Sequence, residues 1–325
     1  MEQILGIENL TVEFHSGSQA FQALDGVSFQ LNRGEIAGLV GESGCGKSLT
    51  SLSAIGLLPD TAHIVAGHIR FHGLDLTALS ESEWCDIRGR DISMVFQEPM
   101  TALNPLIPVG KQVAEAFSQH GGGKGNAARE AALNMMRQVG LSRADSLYWD
   151  YPHQLSGGMK QRIVIAMALI NHPALLIADE PTTALDVTIQ YQILRLIQQM
   201  NQSLSTTVLL VSHDLGVVRE ICSRIIVMYA GFIVEEGGVD EVLSRPMHPY
   251  TRQLLASIPT AEKRGRPLYT IPGVVAPLDK RKTGDCPFCN RCASARPACR
   301  GTVPQLKNLE GGRKVRCLFS EGETQ

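Results

Sequence analysis

The chain has 325 residues, with 30 lysines and arginines against 32 aspartates and glutamates and a formal net charge of −2. That balance excludes affinity for nucleic acid through bulk charge, and an apolar fraction of 44% is ordinary for a globular protein large enough to bury a core without staples. The longest unbroken apolar run, Ile163 to Ile170, is far short of a membrane span, and MEQILGIENL has no basic n-region, so a soluble cytoplasmic chain without a signal peptide is expected.

Residues 1 to 35 alternate in a β-like way, with strands at LGIENLTVEF and FQALDGVSFQL. Phe14 ends the first of these and is placed to stack on an adenine; Phe21 is its rival, and a plain core aromatic is the other reading. The apolar run Ile36 to Val40 then reads as a buried strand, GESGCGKS follows at 41 to 48, and Ser48 to Leu58 reads as a helix. Strand, glycine loop and helix in that order make a phosphate-binding loop. Gly41, Gly44 and Gly46 allow backbone conformations that a Cβ forbids, so successive N–H groups can face a triphosphate at the positive end of a helix. Lys47 supplies a mobile charge for the β- and γ-phosphates, and the Ser48 hydroxyl is placed to ligate Mg²⁺. Cys45 lies inside the loop at a helix start, where a thiol pKa falls; alkylation there is expected to block ATP binding, the other reading being a small residue and no more.

AHIVAGHIRFHGLDL, 62 to 76, continues the antiparallel sheet with a turn at Gly73, and His63, His68 and His72 read as exposed strand residues. ISMVFQEP, 92 to 99, is a second buried strand; Gln97 at its end can reach Mg²⁺ or an attacking water, and Pro99 forces a turn. VGKQVAEAFSQ and AAREAALNMMRQVGL are helical in period, separated by GGGKGN. Ser156, Gly157 and Gly158 precede a long helix and make a second anion-binding helix start. One nucleotide does not need two, so the second makes sense if it serves a nucleotide held by another subunit. ALLIADEP, 174 to 181, is a buried strand ending in two acids: Asp179 fits the Mg²⁺-holding carboxylate, and Glu180 can polarise the attacking water. TTALD leads into the helix VTIQYQILRLIQQM, and TTVLLVSH is a further buried strand that places His213 at its tip, within reach of a γ-phosphate. RIIVMYAGFIVEEG closes the sheet as a hairpin at Gly231, and helical stretches follow at Val239 to Ser244 and in PMHPYTRQLLASIP.

Beyond residue 259 proline, glycine and basic residues rise, and five of the eight cysteines crowd together: Cys286, Cys289, Cys292, Cys299 and Cys317. Cys286, Cys292, Cys299 and Cys317 are separated by five, six and seventeen residues, and the last histidine is His248. Four thiolates admit either zinc or an iron–sulfur cluster. Lys280, Arg281, Lys282, Arg291, Arg296, Lys314 and Arg316 would offset the negative charge of such a site, or form a solvated surface.

GESGCGKS, Gln97, LSGGM, LLIADEP, ALD and His213, in that order, resemble the nucleotide-binding subunits of ABC transporters over residues 1 to about 240. PMHPYT, IPGVVAPL and the cysteines extend the likeness to the oligopeptide/dipeptide importer group, with the nickel importers alongside. The resemblance implies an α/β fold: a P-loop NTPase (RecA-like) core with an antiparallel β subdomain, an inserted helical subdomain at about 99–170 and a Cys-rich extension at 241–325. It implies two subunits meeting head to tail around two ATPs. Each ATP would touch Phe14 and the loop Gly41, Glu42, Ser43, Gly44, Cys45, Gly46, Lys47, Ser48 with Leu49 on one chain, and Ser156, Gly157 and Gly158 on the other. Glu180 would be the general base, His213 the γ-phosphate sensor, Gln97 the link to Mg²⁺ beside Ser48 and Asp179, and Asp186 a contact across the pair. For the cysteines it implies a 4Fe–4S cluster. The expected partners are a second, similar ATPase in a heterodimer, two membrane permease subunits and an extracytoplasmic substrate-binding protein, with the chain peripheral on the cytoplasmic face of the membrane. A nickel or metallophore importer, or a non-transport ABC ATPase, is the alternative.

Overall fold

A computed structural model describes residues 2–97, 102–183, 185–259, 263–265, 267–281 and 284–320. In chain order the main elements are β1 (Gln3–Ser16), β2 (Gln19–Asn32), β3 (Ile36–Val40), α1 (Lys47–Ala54), β4 (Ala62–Phe71), β5 (Leu74–Asp75), α2 (Glu81–Ile87) and β6 (Ile92–Val95). Then come α3 (Val109–Gln119), α4 (Asn126–Gln138), α5 (Ala144–Leu147), α6 (Gly157–Leu169), β7 (Leu175–Asp179), α7 (Val187–Leu204), β8 (Thr207–Ser212) and α8 (Leu215–Ile221). The remainder holds β9 (Arg224–Tyr229), β10 (Phe232–Gly238), α9 (Val239–Ser244), α10 (Pro249–Ala256), β11 (Lys307–Asn308) and β12 (Lys314–Val315). Among the described residues no helix is long and apolar enough to cross a membrane.

The chain divides into two compact units. The first comprises Met1–Leu5, Leu31–Ile36 and Phe71–Val211. Its centre is a parallel ladder in which β7 pairs with β6 on one side and β8 on the other, from Ile92↔Leu175 to Asp179↔Val211. All three strands are buried along their length, as parallel strands covered on both faces must be, and this is why they read as unbroken apolar runs. The two expected helices are present as α3 and α4, which pack on each other and on α6. The helix α2 was not expected. Its start carries a complete capping box, Ser80 accepting from the Glu83 N–H while the Glu83 carboxylate accepts from the Ser80 N–H.

The second unit comprises Gly6–Gln30, Ala37–Arg70 and Ser212–Gln325. In it β3 runs parallel to β9, and β10, β12 and β11 follow in antiparallel order. β2, β1 and β4 form a separate sheet in that order; His63 and His68 are exposed on β4, as expected, whereas the exposed His72 lies in the turn after the strand with φ 48°. The tail is built into the larger sheet. Glu235 is fully buried, and its carboxylate accepts from the Arg313 guanidinium at 2.6 Å and from the N–H groups of Met247 and His248 at 2.8 and 2.9 Å. A carboxylate this deep persists only because each oxygen is paired. The first helix is shorter than expected: α1 ends at Ala54, and Gly56 turns the chain with φ 65°.

Candidate active site

The phosphate loop belongs wholly to the second unit. β3 ends at Val40, and Gly41 turns away with φ 156° at a point where a Cβ would stand 2.2 Å from the Met228 carbonyl oxygen. Gly46, with φ 112°, begins α1 and carries no side chain to cap it. The N–H groups of the first turn therefore have no side-chain cap, which is the condition for an incoming anion to complete the helix. Lys47 is 5% exposed and folds back on the loop, its Nζ donating to the carbonyls of Gly41 at 2.8 Å and Glu42 at 3.1 Å. Ser43, Gly44 and Ser48 are exposed and Leu49 half-buried. Phe14, on β1, is half-buried; so is its rival Phe21, which lines a cavity of about 290 Å³ with Tyr229 and Arg281.

Cys45 departs from expectation. Its side chain is fully buried, and burial pushes the thiol pKa up despite the nearby Lys47 charge and backbone donors. Loss of solvation outweighs the helix start, so the loop does not carry an activated thiol.

The acids belong to the first unit. β7 delivers Asp179 buried at its last position, 5% exposed. Glu180 follows with φ 48°, a left-handed conformation rare for a side chain of this size, and its N–H donates to the Val211 carbonyl at 2.9 Å. That turn sets the Glu180 side chain apart from the strand alternation. Its carboxylate accepts from Gln97 Nε2 at 3.1 Å and from Thr183 Oγ1 at 2.9 Å. Gln97 and Glu180 are thus brought together. Thr183 was not singled out from the sequence; only its spacing of three from Glu180 could have suggested it. Pro99 and Ala184, read as parts of the flanking turns, lie outside the described residues.

In the same unit α6 starts at Ser156, whose hydroxyl accepts from the Met159 N–H at 3.4 Å. Ser156 and Gly157 are exposed. Asp186 caps α7 by accepting from the Ile189 N–H at 3.0 Å, next to Val187, which is 82% exposed. In the second unit His213 is exposed immediately after β8.

Cys286, Cys289, Cys292, Cys299 and Cys317 all line one cavity of about 140 Å³, with His248 and Arg296. Burial raises the Cys286 pKa to about 11, and it raises those of Cys289 and Cys292. Among the described residues, however, no three or more His, Cys, Asp or Glu side chains are placed to hold a metal ion. Of the basic flank, Arg296 lines the cysteine cavity, and other members differ from expectation. Arg281 and Arg291 point into the phosphate loop: Arg291 holds the Glu42 carboxylate at 2.6 and 3.0 Å, and Arg281 donates to the Gly44 carbonyl at 3.1 Å. Lys314 pairs with Glu236 and Arg316 with the carbonyls of Ile233 and Pro304. Lys282 lies outside the described residues.

Comparison with known proteins bears on both units. Residues 24–183 match the family described as ABC transporter, and residues 234–299 match the C-terminal region of oligopeptide/dipeptide transporters. The chain is 46% identical to the oligopeptide transport ATP-binding protein AppD of Bacillus subtilis, over 99% of this chain and 98% of that one. It is 43% identical to the dipeptide transport ATP-binding protein DppD of Escherichia coli, over 97% and 96%. The dimeric post-hydrolysis structure of the ATP-binding cassette MJ0796, bound to ADP and Pi, superposes with a TM-score of 0.65 at 31% identity, over 73% of this chain and 99% of that one.

Proposed function

The chain belongs to the ATP-binding subunits of the oligopeptide/dipeptide group of ABC transporters, and from that premise we propose that it is the ATPase that powers import of di- or oligopeptides through a membrane permease. ATP hydrolysis follows from the family itself. The peptide cargo is supported by the names of the relatives and by the matched C-terminal region. The working division is an ATPase domain at 1–240, with a helical subdomain at about 99–170, and an extension at 241–325.

The observation that carries the mechanism is the carboxylate of Glu180, turned out of its strand and held by Gln97 and Thr183. A general base must be oriented, and two donors on one carboxylate orient it. Lys47 would exchange its two loop carbonyls for the β- and γ-phosphates, and the uncapped start of α1 would complete the cradle. Mg²⁺, an oxygen-seeking cation, would be held by Ser48, Asp179 and the Gln97 amide oxygen, and would neutralise phosphate charge. Ser156, Gly157 and Gly158 would meet the ATP of a second ATPase, with Asp186 at the seam and His213 sensing the γ-phosphate. Exposure of Ser156, Gly157 and Val187 supports that reading. So does the dimeric state named for the cassette MJ0796. The pair would be a heterodimer, peripheral on the cytoplasmic face of the membrane and served by two permease subunits and an extracytoplasmic binding protein.

In the tail Cys286, Cys292, Cys299 and Cys317 would hold a 4Fe–4S cluster, with zinc the alternative. Support comes from their convergence on one cavity; the thiols as they stand are not spaced for a single ion. Iron and sulfide analysis after anaerobic purification tests it, and a colourless protein carrying zinc would end it. For the cargo the test is genetic: deletion should abolish uptake of labelled di- and oligopeptides. Normal peptide uptake with failed nickel uptake would overturn the peptide reading.

A further inference from the structure

Glu42 is the second residue of the phosphate loop, and three parts of it are engaged within the second unit. Its carbonyl accepts from Lys47 Nζ at 3.1 Å. Its N–H donates to the Tyr250 hydroxyl at 2.9 Å. Its carboxylate takes both arms of the Arg291 guanidinium, which is 6% exposed and further fixed by the carbonyls of Pro272 and Gly273 at 2.8 and 3.2 Å. Tyr250 and Arg291 both come from the region after residue 240, and Phe288, from the Cys286-Pro-Phe-Cys289 turn, joins them. Phe288 is 1% exposed and packs on Tyr250 and Tyr229 with ring centroids 5.4 and 5.0 Å away. Arg281 adds a fourth tie, holding the carbonyls of Gly44, Ala230 and Ala23 at 3.1 to 3.2 Å.

A carboxylate in a triphosphate cradle is a liability, because like charge repels the ligand. Arg291 cancels it, and the bidentate fork fixes where the neutral pair sits. Lys47 touches the carbonyl of the same residue, so with Lys47 read as the partner of the β- and γ-phosphates, Glu42 would stand beside that end of the site.

We propose that Arg291 is a positioning residue for ATP: carried on the cysteine-rich tail, it neutralises and orients Glu42 so that the phosphate loop accepts the triphosphate. The tail thereby acts on its own chain's nucleotide. The proposal rests on the reading of residues 41–48 as the triphosphate site.

The test is a mutant cycle on the purified full-length chain, with ATP and ADP affinities measured by equilibrium dialysis. Arg291→Ala should weaken ATP on the order of tenfold and ADP no more than about threefold, because the freed Glu42 charge faces the γ end. That loss should shrink as salt is raised. In the Glu42→Gln background, Arg291→Ala should cost at most about a further twofold, since no charge remains to be exposed. Equal losses for ATP and ADP, repeated undiminished in the Glu42→Gln background, would reduce Arg291 to a structural brace and overturn the proposal. If Arg291→Ala does not fold, Arg291→Lys, which keeps the charge and loses the fork, takes its place. It should weaken ATP about threefold in the natural background and leave it unchanged in the Glu42→Gln background; the same loss in both backgrounds overturns the proposal equally. A natural chain that fails to bind ATP would instead overturn the nucleotide reading itself.

Discussion

The two helix starts that can receive an anion are built in opposite ways. α1 begins at Gly46 with no side-chain cap, and the loop before it is enclosed by its own chain: Lys47 lies on two carbonyls, and Glu42 is held by Tyr250 and Arg291. α6 begins at Ser156, which caps itself, and Gly157 is exposed, with Leu185 at 3.7 Å from where its Cβ would stand. A ligand site organised in cis has its polar groups committed to one another until the ligand replaces them. A site completed by another surface is left open and self-capped. On the proposed function, the difference separates a start committed to this chain's own nucleotide from one offered to a second ATPase.

That contrast can be sharpened or broken by mutation. The largest effect is expected from Glu180→Gln, which leaves both helix starts intact and removes the proton acceptor. ATP should still bind, while single-turnover phosphate release falls on the order of 10²–10⁴-fold; a near-natural rate would remove Glu180 from the role of base. Gly157→Asp comes next. A Cβ there would meet Leu185 at an ordinary 3.7 Å, and the substitution puts a carboxylate on the outward start. Turnover of the assembled pair should fall about 10²-fold, while the isolated chain binds ATP within about twofold of the natural affinity. A collapse of that affinity would mean that both starts serve one nucleotide, and the contrast would fail.

The smallest effect concerns the supports of the enclosed start. His248 Nδ1 accepts from the Tyr250 N–H at 3.1 Å, and burial lowers its pKa from 6.5 to about 3. The folded chain therefore binds fewer protons than the unfolded one between those values, so stability is present above about pH 6.5 and declines as the pH falls toward 3. At pH 5 this group alone should cost about 2 kcal/mol. Urea unfolding at pH 7 and pH 5 should show that difference in the natural chain and lose it in His248→Asn, whose side-chain oxygen can still accept. Identical acid sensitivity in both would refute it.

Much of this site was legible in the sequence, for local reasons. Ile36 to Val40 and Leu175 to Asp179 are unbroken apolar runs because parallel strands are buried on both faces. The glycines at 41 and 46 stand where the backbone leaves the ordinary regions. The α2 cap is equally legible, since Ser80 and Glu83 have the spacing of a capping box. Cys45 failed for a physical reason: a helix start is read from neighbours in sequence, whereas burial is contributed by the rest of the fold.

What the sequence determined by itself is the chemistry available at each strand end: a lysine and a serine after β3, two acids at the end of β7, a glutamine after β6, a histidine after β8. Those follow from short-range patterns, because strand, turn and helix signals act over a few residues. The tertiary structure alone decided which basic residues face the loop. Arg281 and Arg291 reach Gly44 and Glu42 across 237 and 249 positions of chain. No spacing rule spans that distance; the packing that brings Phe288 against Tyr250 also brings Arg291 to the carboxylate of Glu42.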